Sequence, residues 1–206
     1  MSAILAMDEK AAQLPRAGIV HRLDKDTSGL MLVARSRIAM DALVQAIAAR
    51  SVKRQYIALG QGAWQGSLHR SVNAPIGRDP ANRLRMAVVD LAQHAGKLAH
   101  TDFKLLATGG QYCLVQCTLQ TGRTHQIRVH MSHLGHPLVA DATYGGRPAA
   151  GLQRQALHAY RLGLAHPVTG QALEFRSVLP TDIQLALAQL AIPYNPNESS
   201  QCAEHS

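Results

Sequence analysis

The sequence predicts an α+β fold, and three observations predict it. Strand-like and helix-like stretches are mixed without the regular alternation of a doubly wound nucleotide-binding chain. Two apolar runs flank Thr108-Gly109-Gly110, a hairpin signal, because glycine accepts positive backbone angles. The chain has 206 residues, 47% of them hydrophobic, enough for a sizeable core and too apolar for disorder throughout.

Residues 1–17 read as a leader that ends near Pro15. Ile19–Leu23 has strand character, Asp24–Gly29 is a polar, glycine-ended loop, and Leu30–Ala34 is a second short strand. Ser36 caps a helix running to about Ala49, whose apolar positions Met40, Leu43, Val44 and Ile47 recur at helical spacing. Lys53–Leu59 returns to strand. Trp64–Asp90 is rich in Arg, Pro, Gly and Asn and reads as loop or extended chain.

Lys104–Ala107 and Tyr112–Leu119 form the hairpin arms. Cys113 and Cys117 then share one face as small core residues. Thr124 caps a helix reaching about Leu134, with Ile127, Met131 and Leu134 as its apolar stripe, Arg128 beside that stripe and Gly135 as the stop. Ala156–Leu164 and Ala172–Val178 are further strands. Thr181 caps a last helix with Ile183, Leu185, Leu187 and Leu190. Residues 193–206 read as a disordered tail.

Only 17% of residues are charged, yet the formal net charge is +8. That imbalance favours a polyanionic partner without identifying one. Three cysteines with no CxxC pattern exclude a disulfide framework and fit a reducing compartment. No apolar segment is long enough for a transmembrane helix, and neither GxGxxG nor a Walker A motif is present.

Asp24 is the leading candidate for chemistry. It lies between the apolar pieces Ile19-Val20 and Leu30–Val33, close to Arg22 and Lys25. A carboxylate becomes a useful nucleophile when it is desolvated and oriented, and an arginine can hold its ionised form. The residues alone make a turn acceptor beside Asp26-Thr27-Ser28 the commoner reading.

Arg128 is the better distant partner for Asp24, since strand alternation can send Arg22 elsewhere. Tyr56 offers a ring that can stack on a nucleobase, or equally fill a strand core. Lys53 and Arg54 raise the nucleic-acid reading. Arg78, Arg83 and Arg85 can contact phosphate or serve as surface charges. His125, His130, His133 and His136 lack an accompanying acid within HQIRVH and HExxH is absent, so local hydrogen bonds or RNA contact are preferred to a metal site.

HRLDKDTSGLMLVA, from His21 to Ala34, resembles the catalytic motif of the RluA/RluD-type pseudouridine synthases. The resemblance continues through KRQYIAL (Lys53–Leu59), TGRTHQIRVHMSHLGHPLVAD (Thr121–Asp141), DATYGG and LHAYRLGLAHPVTG, and covers most of Pro15–Pro180. PIGRDPANRLRMAV looks like the large-ribosomal-subunit branch of that family.

The resemblance implies a mainly antiparallel mixed sheet with flanking helices, and a catalytic domain over residues 18–192. It implies Asp24 as nucleophile, Tyr56 as the residue stacked on the target base and assisting proton removal, and Arg128 as the partner of Asp24. Arg22 would fill the stack vacated by a flipped nucleotide, and Leu157 would wall the pocket. Arg123, His125 and Gln126 belong to the same motif as Arg128.

The implied substrate is structured RNA, in particular helix 69 of 23S rRNA or an assembly intermediate containing it. No cofactor and no metal are implied. A cytoplasmic monomer that does not bind membranes, shortened at its N-terminus relative to the family, completes the expectation. Two other readings stand beside it, a noncatalytic RNA-binding or ribosome-assembly module and a basic enzyme acting on a small anion.

Overall fold

The computed structural model describes residues 2–195. Its centre is a mainly antiparallel sheet, with strands β1 (Ser28–Gly29), β2 (Lys53–Gln61), β3 (His69–Asn73), β7 (His100–Gly109), β8 (Tyr112–Leu119), β9 (Leu157–Ala165) and β10 (Ala172–Arg176). The order across the sheet is β1-β9-β2-β8-β7-β3, and β10 pairs with the C-terminal half of β9. Only β1 pairs in parallel among the described strands. A second, three-stranded sheet joins β4 (Ile76–Arg78), β5 (Met86–Val88) and β6 (Gly96–Lys97).

Both faces of the main sheet are covered, which explains why β2 is buried at nearly every position rather than at alternate ones. Tyr56 and Ala58 face one side, with Cys113, Val115 and Cys117 of β8, and pack on Ile127 and Met131 of helix α3 (Gln126–His133). Ile57, Leu59 and Leu114 face the other side and pack on Ile183 and Leu187 of helix α4 (Thr181–Gln189). Burial pushes the Cys113 thiol up to about 12 and holds Cys117 well above its usual range, so both behave as small apolar core groups. Helix α2 (Arg37–Ala48) is capped by the Ser36 hydroxyl on Ala39 N–H at 3.2 Å, and its Leu43 joins Val52, Leu162 and Leu164.

The two strands expected around Asp24 do not form. Ile19 and Val33 make one isolated bridge, and β1 is two residues long. Other partners claim the backbone there. Ala34 N–H donates to Gly18 O, Leu30 N–H to Ala159 O, and Leu32 N–H to His21 Nε2 at 2.9 Å. Trp64–Asp90, expected as loop or extended chain, holds the short strands β3, β4 and β5, whose Arg, Asn and Pro content hides their individual bounds.

Helix α3 begins one residue later than expected. His125, in a left-handed conformation with φ 57°, is its N-cap instead of Thr124. At its C-terminus Gly135 (φ 82°) ends it as expected, with His136 N–H returning to Met131 O at 2.8 Å. Thr181 is the first residue of α4 and Pro180 occupies its cap position.

Residues 1–17, expected as a leader, hold helix α1 (Ser2–Met7), a 3₁₀ turn at Glu9–Gln13 and a turn at Pro15–Gly18, with Ala11 and Ala17 buried. Of the expected tail, residues 196–206 lie outside the described residues. No helix among the described residues is long and apolar enough to cross a membrane.

Candidate active site

The Asp24 loop is fixed by its backbone, and this frees its carboxylate. Thr27 N–H donates to Asp24 O at 3.0 Å, so the turn uses the main chain. No hydrogen bond to the Asp24 carboxylate forms among the described residues; its near neighbour is Arg128 Nη1, 3.8 Å from Oδ2. The turn-acceptor role considered for that side chain is therefore not the one it adopts.

Three contacts tie the loop to the chain entering β9. Gln155 Nε2 donates to Lys25 O at 2.6 Å and to Thr27 Oγ1 at 3.1 Å, while Arg154 Nη1 donates to Asp26 O at 2.9 Å. Gly29, at φ 111°, lets the chain pass against β9, since a Cβ there would sit 2.2 Å from Ala159 O.

Arg128 projects from α3 between two acids. Its Nε and Nη2 donate to Asp141 Oδ2 and Oδ1 at 2.7 and 2.8 Å, a bidentate grip. The side chains of Asp141, Arg128 and Asp24 are 1%, 8% and 14% exposed, so water screens these charges little. Burial opposes the Arg128 charge, but the Asp141 hydrogen bonds and the nearby acids outweigh it and hold its pKa above the usual value. The guanidinium also lies 4.9 Å from the centre of the Tyr144 ring. The Tyr144 hydroxyl accepts from Met86 N–H at 3.1 Å and pairs with His125 Nδ1 at 2.7 Å.

A cavity of about 370 Å³ opens beside this cluster. Its apolar lining includes Leu23, Tyr56, Ile127 and Leu157, and its charged lining is five arginines (Arg16, Arg22, Arg50, Arg54 and Arg123) with one carboxylate, Asp24. Burial, partly offset by Arg54 and reinforced by Asp24, pushes the Tyr56 phenol up to about 12. Tyr56 thus presents a neutral ring and hydroxyl to the cavity at physiological pH.

The structure brings Asp24, Tyr56, Arg22, Arg54, Arg123, Gln126 and Leu157 to one cavity, with Arg128 behind Asp24. Gln126 is locked in the protein. Its Oε1 accepts from Thr121 Oγ1 and Arg123 N–H, and its Nε2 donates to His100 O and Thr101 Oγ1. That network holds the Thr121–Arg123 turn at the cavity wall. Arg123 Nε itself donates to Leu98 O at 2.9 Å.

Lys53 is exposed at the start of β2 and outside the cavity lining. Arg78, Arg83 and Arg85 are also outside it, on or beside the small sheet, where Arg85 pairs with Asp79 at 2.5 Å. Three of the histidines serve local bonds: His125, outside the cavity lining, pairs with the Tyr144 hydroxyl, His130 pairs with Thr101 Oγ1 and donates to Ala74 O, and His136 donates to Gln61 O while stacking on Trp64.

Asp141 and Tyr144, which contact Arg128, were not singled out in the sequence, although both lie inside the quoted motifs. The available signal was an acid directly after the apolar run Leu138–Ala140 in an acid-poor chain. His21 was also passed over. Burial and then the Arg54 charge push its imidazole down to about 4, and the neutral ring accepts Leu32 N–H.

Residues 6–133 match the family described as RNA pseudouridylate synthase. A protein from Chloroflexus aurantiacus named "Uncharacterized RNA pseudouridine synthase" is 51% identical over 178 residues, covering 85% of this chain and 54% of that protein. The "Ribosomal large subunit pseudouridine synthase D" of Neisseria meningitidis serogroup B is 43% identical over 203 residues, covering 93% of this chain and 53% of that protein. The chain thus spans about half the length of these two curated relatives. The solved structure of "Human RNA Pseudouridylate Synthase Domain Containing 1" aligns with a TM-score of 0.67 at 31% identity, over 79% of this chain and 69% of that one. With the fold, the matched motifs and the relatives in agreement, the chain belongs to the RNA pseudouridylate synthase family, in its RluA/RluD-type branch.

Proposed function

We propose that this chain isomerises uridine to pseudouridine in large-subunit ribosomal RNA, at helix 69, with Asp24 as the nucleophile. The observation that carries the reading is the Asp24 carboxylate. It is poorly exposed, not used by its own turn, and stands 3.8 Å from an arginine that Asp141 holds in place. Such an arrangement positions an acid without solvating it.

The target uridine must leave the RNA stack before its glycosidic bond can be reached. Arg22, exposed beside the cavity, is placed to fill the gap it leaves. The base enters between Tyr56 and the apolar wall of Leu23, Ile127 and Leu157. Asp24 adds to the nucleotide, at the sugar or at the uracil ring, and N1–C1′ breaks. The uracil turns inside the cavity, C5 bonds to C1′ as the Asp24 oxygen departs, and loss of the C5 proton is matched by protonation of the freed N1. Atoms and electrons balance as an isomerisation, with no hydride or phosphoryl group transferred. Arg128 holds the carboxylate direction through these steps. Tyr56 contributes its ring face and a hydroxyl that relays the proton, since a standing phenolate is disfavoured there.

The test is incubation of the chain with unmodified 23S rRNA and with isolated stem-loops, followed by position-resolved detection of pseudouridine. Product at helix 69 is the expected result. Product at another site would move the target, and RNA binding with no product anywhere would leave a binding module.

A further inference from the structure

Arg54 differs from the other buried or half-buried arginines that are paired in the fold. Arg128 is matched by Asp141, Arg154 by Asp182, and Arg161 by Glu174 and Gln55. Arg54 is 5% exposed, its Nε is buried with no hydrogen-bond partner, and it has no ion pair among the described residues. It lines the cavity that holds Asp24. A buried, unmatched guanidinium is costly to a fold, and an arriving anion removes that cost.

The surroundings of Arg54 supply more positive charge and no competing acid except Asp24. Arg16, Arg22, Arg50 and Arg123 line the same cavity. The guanidinium lies against the Thr121–Arg123 turn, where a Cβ on Gly122 would come within 2.7 Å of Nη1. His21 is held neutral beside it, and burial lowers the pKa of Arg54 itself, both as expected of a cation without a counter-ion.

We propose that the cavity contains a phosphate subsite built on Arg54, and that it takes the phosphate group of the nucleotide whose base enters between Tyr56 and Leu157. This rests on the nucleotide reading of the cavity given above. It adds a ligand for the backbone to the groups that meet the base, and so sets the depth to which the uridine enters.

Titration calorimetry on the full chain tests it with uridine, uridine 5′-monophosphate and inorganic phosphate. The wild type is expected to bind the nucleotide roughly 10- to 100-fold more tightly than the nucleoside, the range for a charge-assisted hydrogen bond. Arg54→Gln should bring the two within about twofold, and Arg54→Lys should keep part of the preference. Gly122→Ala presses on the same guanidinium without removing charge and should also narrow it, which covers the case in which Arg54→Gln fails to fold.

Equal binding of nucleoside and nucleotide by the wild type would overturn the subsite, as would a preference that survives both Arg54→Gln and Gly122→Ala. Inorganic phosphate binding more tightly than the nucleotide would also overturn it, as a free-anion site. Pseudouridine assays separate this from the catalytic reading. An Arg54-dependent nucleotide preference without product sinks catalysis alone, while product from Arg54→Gln at unchanged KM and kcat sinks the subsite alone.

Discussion

Asp141 grips Arg128 along one edge of its guanidinium, at 2.7 Å to Nε and 2.8 Å to Nη2, and leaves Nη1 as the nitrogen that faces Asp24. The candidate nucleophile therefore depends on an acid that does not line the cavity. This relationship and its surroundings lead to several measurable outcomes.

Removing Asp141 leaves a buried arginine without its main counter-charge. Asp141→Ala should cost about 3–5 kcal/mol in urea unfolding. Replacing both partners, as Asp141→Ala with Arg128→Met, should recover much of that stability but no activity. A stable, fully active Asp141→Ala variant would show that Arg128 needs no holding.

Gly29 makes the closest approach of the Asp24 loop to β9. Gly29→Ala forces a Cβ to within 2.2 Å of Ala159 O at φ 111°. The backbone strain alone should destabilise the chain by about 1–3 kcal/mol, and the shifted loop should lower kcat further. Chemical denaturation with a parallel rate measurement checks both, and wild-type stability would contradict the described path of the loop.

His130 is buried, donates from Nε2 to Ala74 O, accepts at Nδ1 from the Thr101 hydroxyl, and has its pKa pushed down to about 4 by burial. The folded chain refuses a proton that the unfolded chain takes up near pH 6.5. Stability is unaffected by this group above that pH, falls as pH drops from 6.5 toward 4, and levels off below. The full difference is about 3 kcal/mol. His130→Gln should flatten the stability–pH curve in that window, and an unchanged slope would contradict the assignment.

Tyr56 is held as a neutral phenol, with its pKa pushed up to about 12. The rate of pseudouridine formation should then show no limb from phenolate ionisation between pH 7 and 10. Tyr56→Phe should lower single-turnover rates about 10- to 100-fold or more while changing RNA affinity little, as expected for loss of a proton-relay group. An ionisation near pH 8 that vanishes in Tyr56→Phe would contradict the burial argument.

The sequence was informative where local rules decide the outcome. The Ser36 cap, the hairpin at Gly109-Gly110, the strand at Lys53 and the stop at Gly135 all depend on neighbours in the chain. It misled around Asp24, where Leu30 and Leu32 look like strand residues but donate to Ala159 O and to the ring of His21. The start of α3 was displaced for a similar reason, because the Gln126 side chain organises the turn that Thr124 was expected to cap.

Asp24, Tyr56 and Arg128, singled out from motif context, come together at the candidate site. Asp141 was not assigned a role, because its bond to Arg128 depends on how the chain after α3 folds back. Arg54 was read with Lys53 only as a basic residue favouring a nucleic-acid partner, since burial without a partner leaves no mark in a linear sequence.

The central claim is that Asp24 forms the bond to the nucleotide. Single-turnover pseudouridine formation on 23S rRNA, measured for wild type and Asp24→Asn at matched RNA occupancy, tests it most directly. The substitution keeps the size of the side chain and removes the nucleophilic charge, so product should be absent while RNA affinity and melting temperature stay close to wild type. Product from Asp24→Asn at the wild-type rate would contradict the claim.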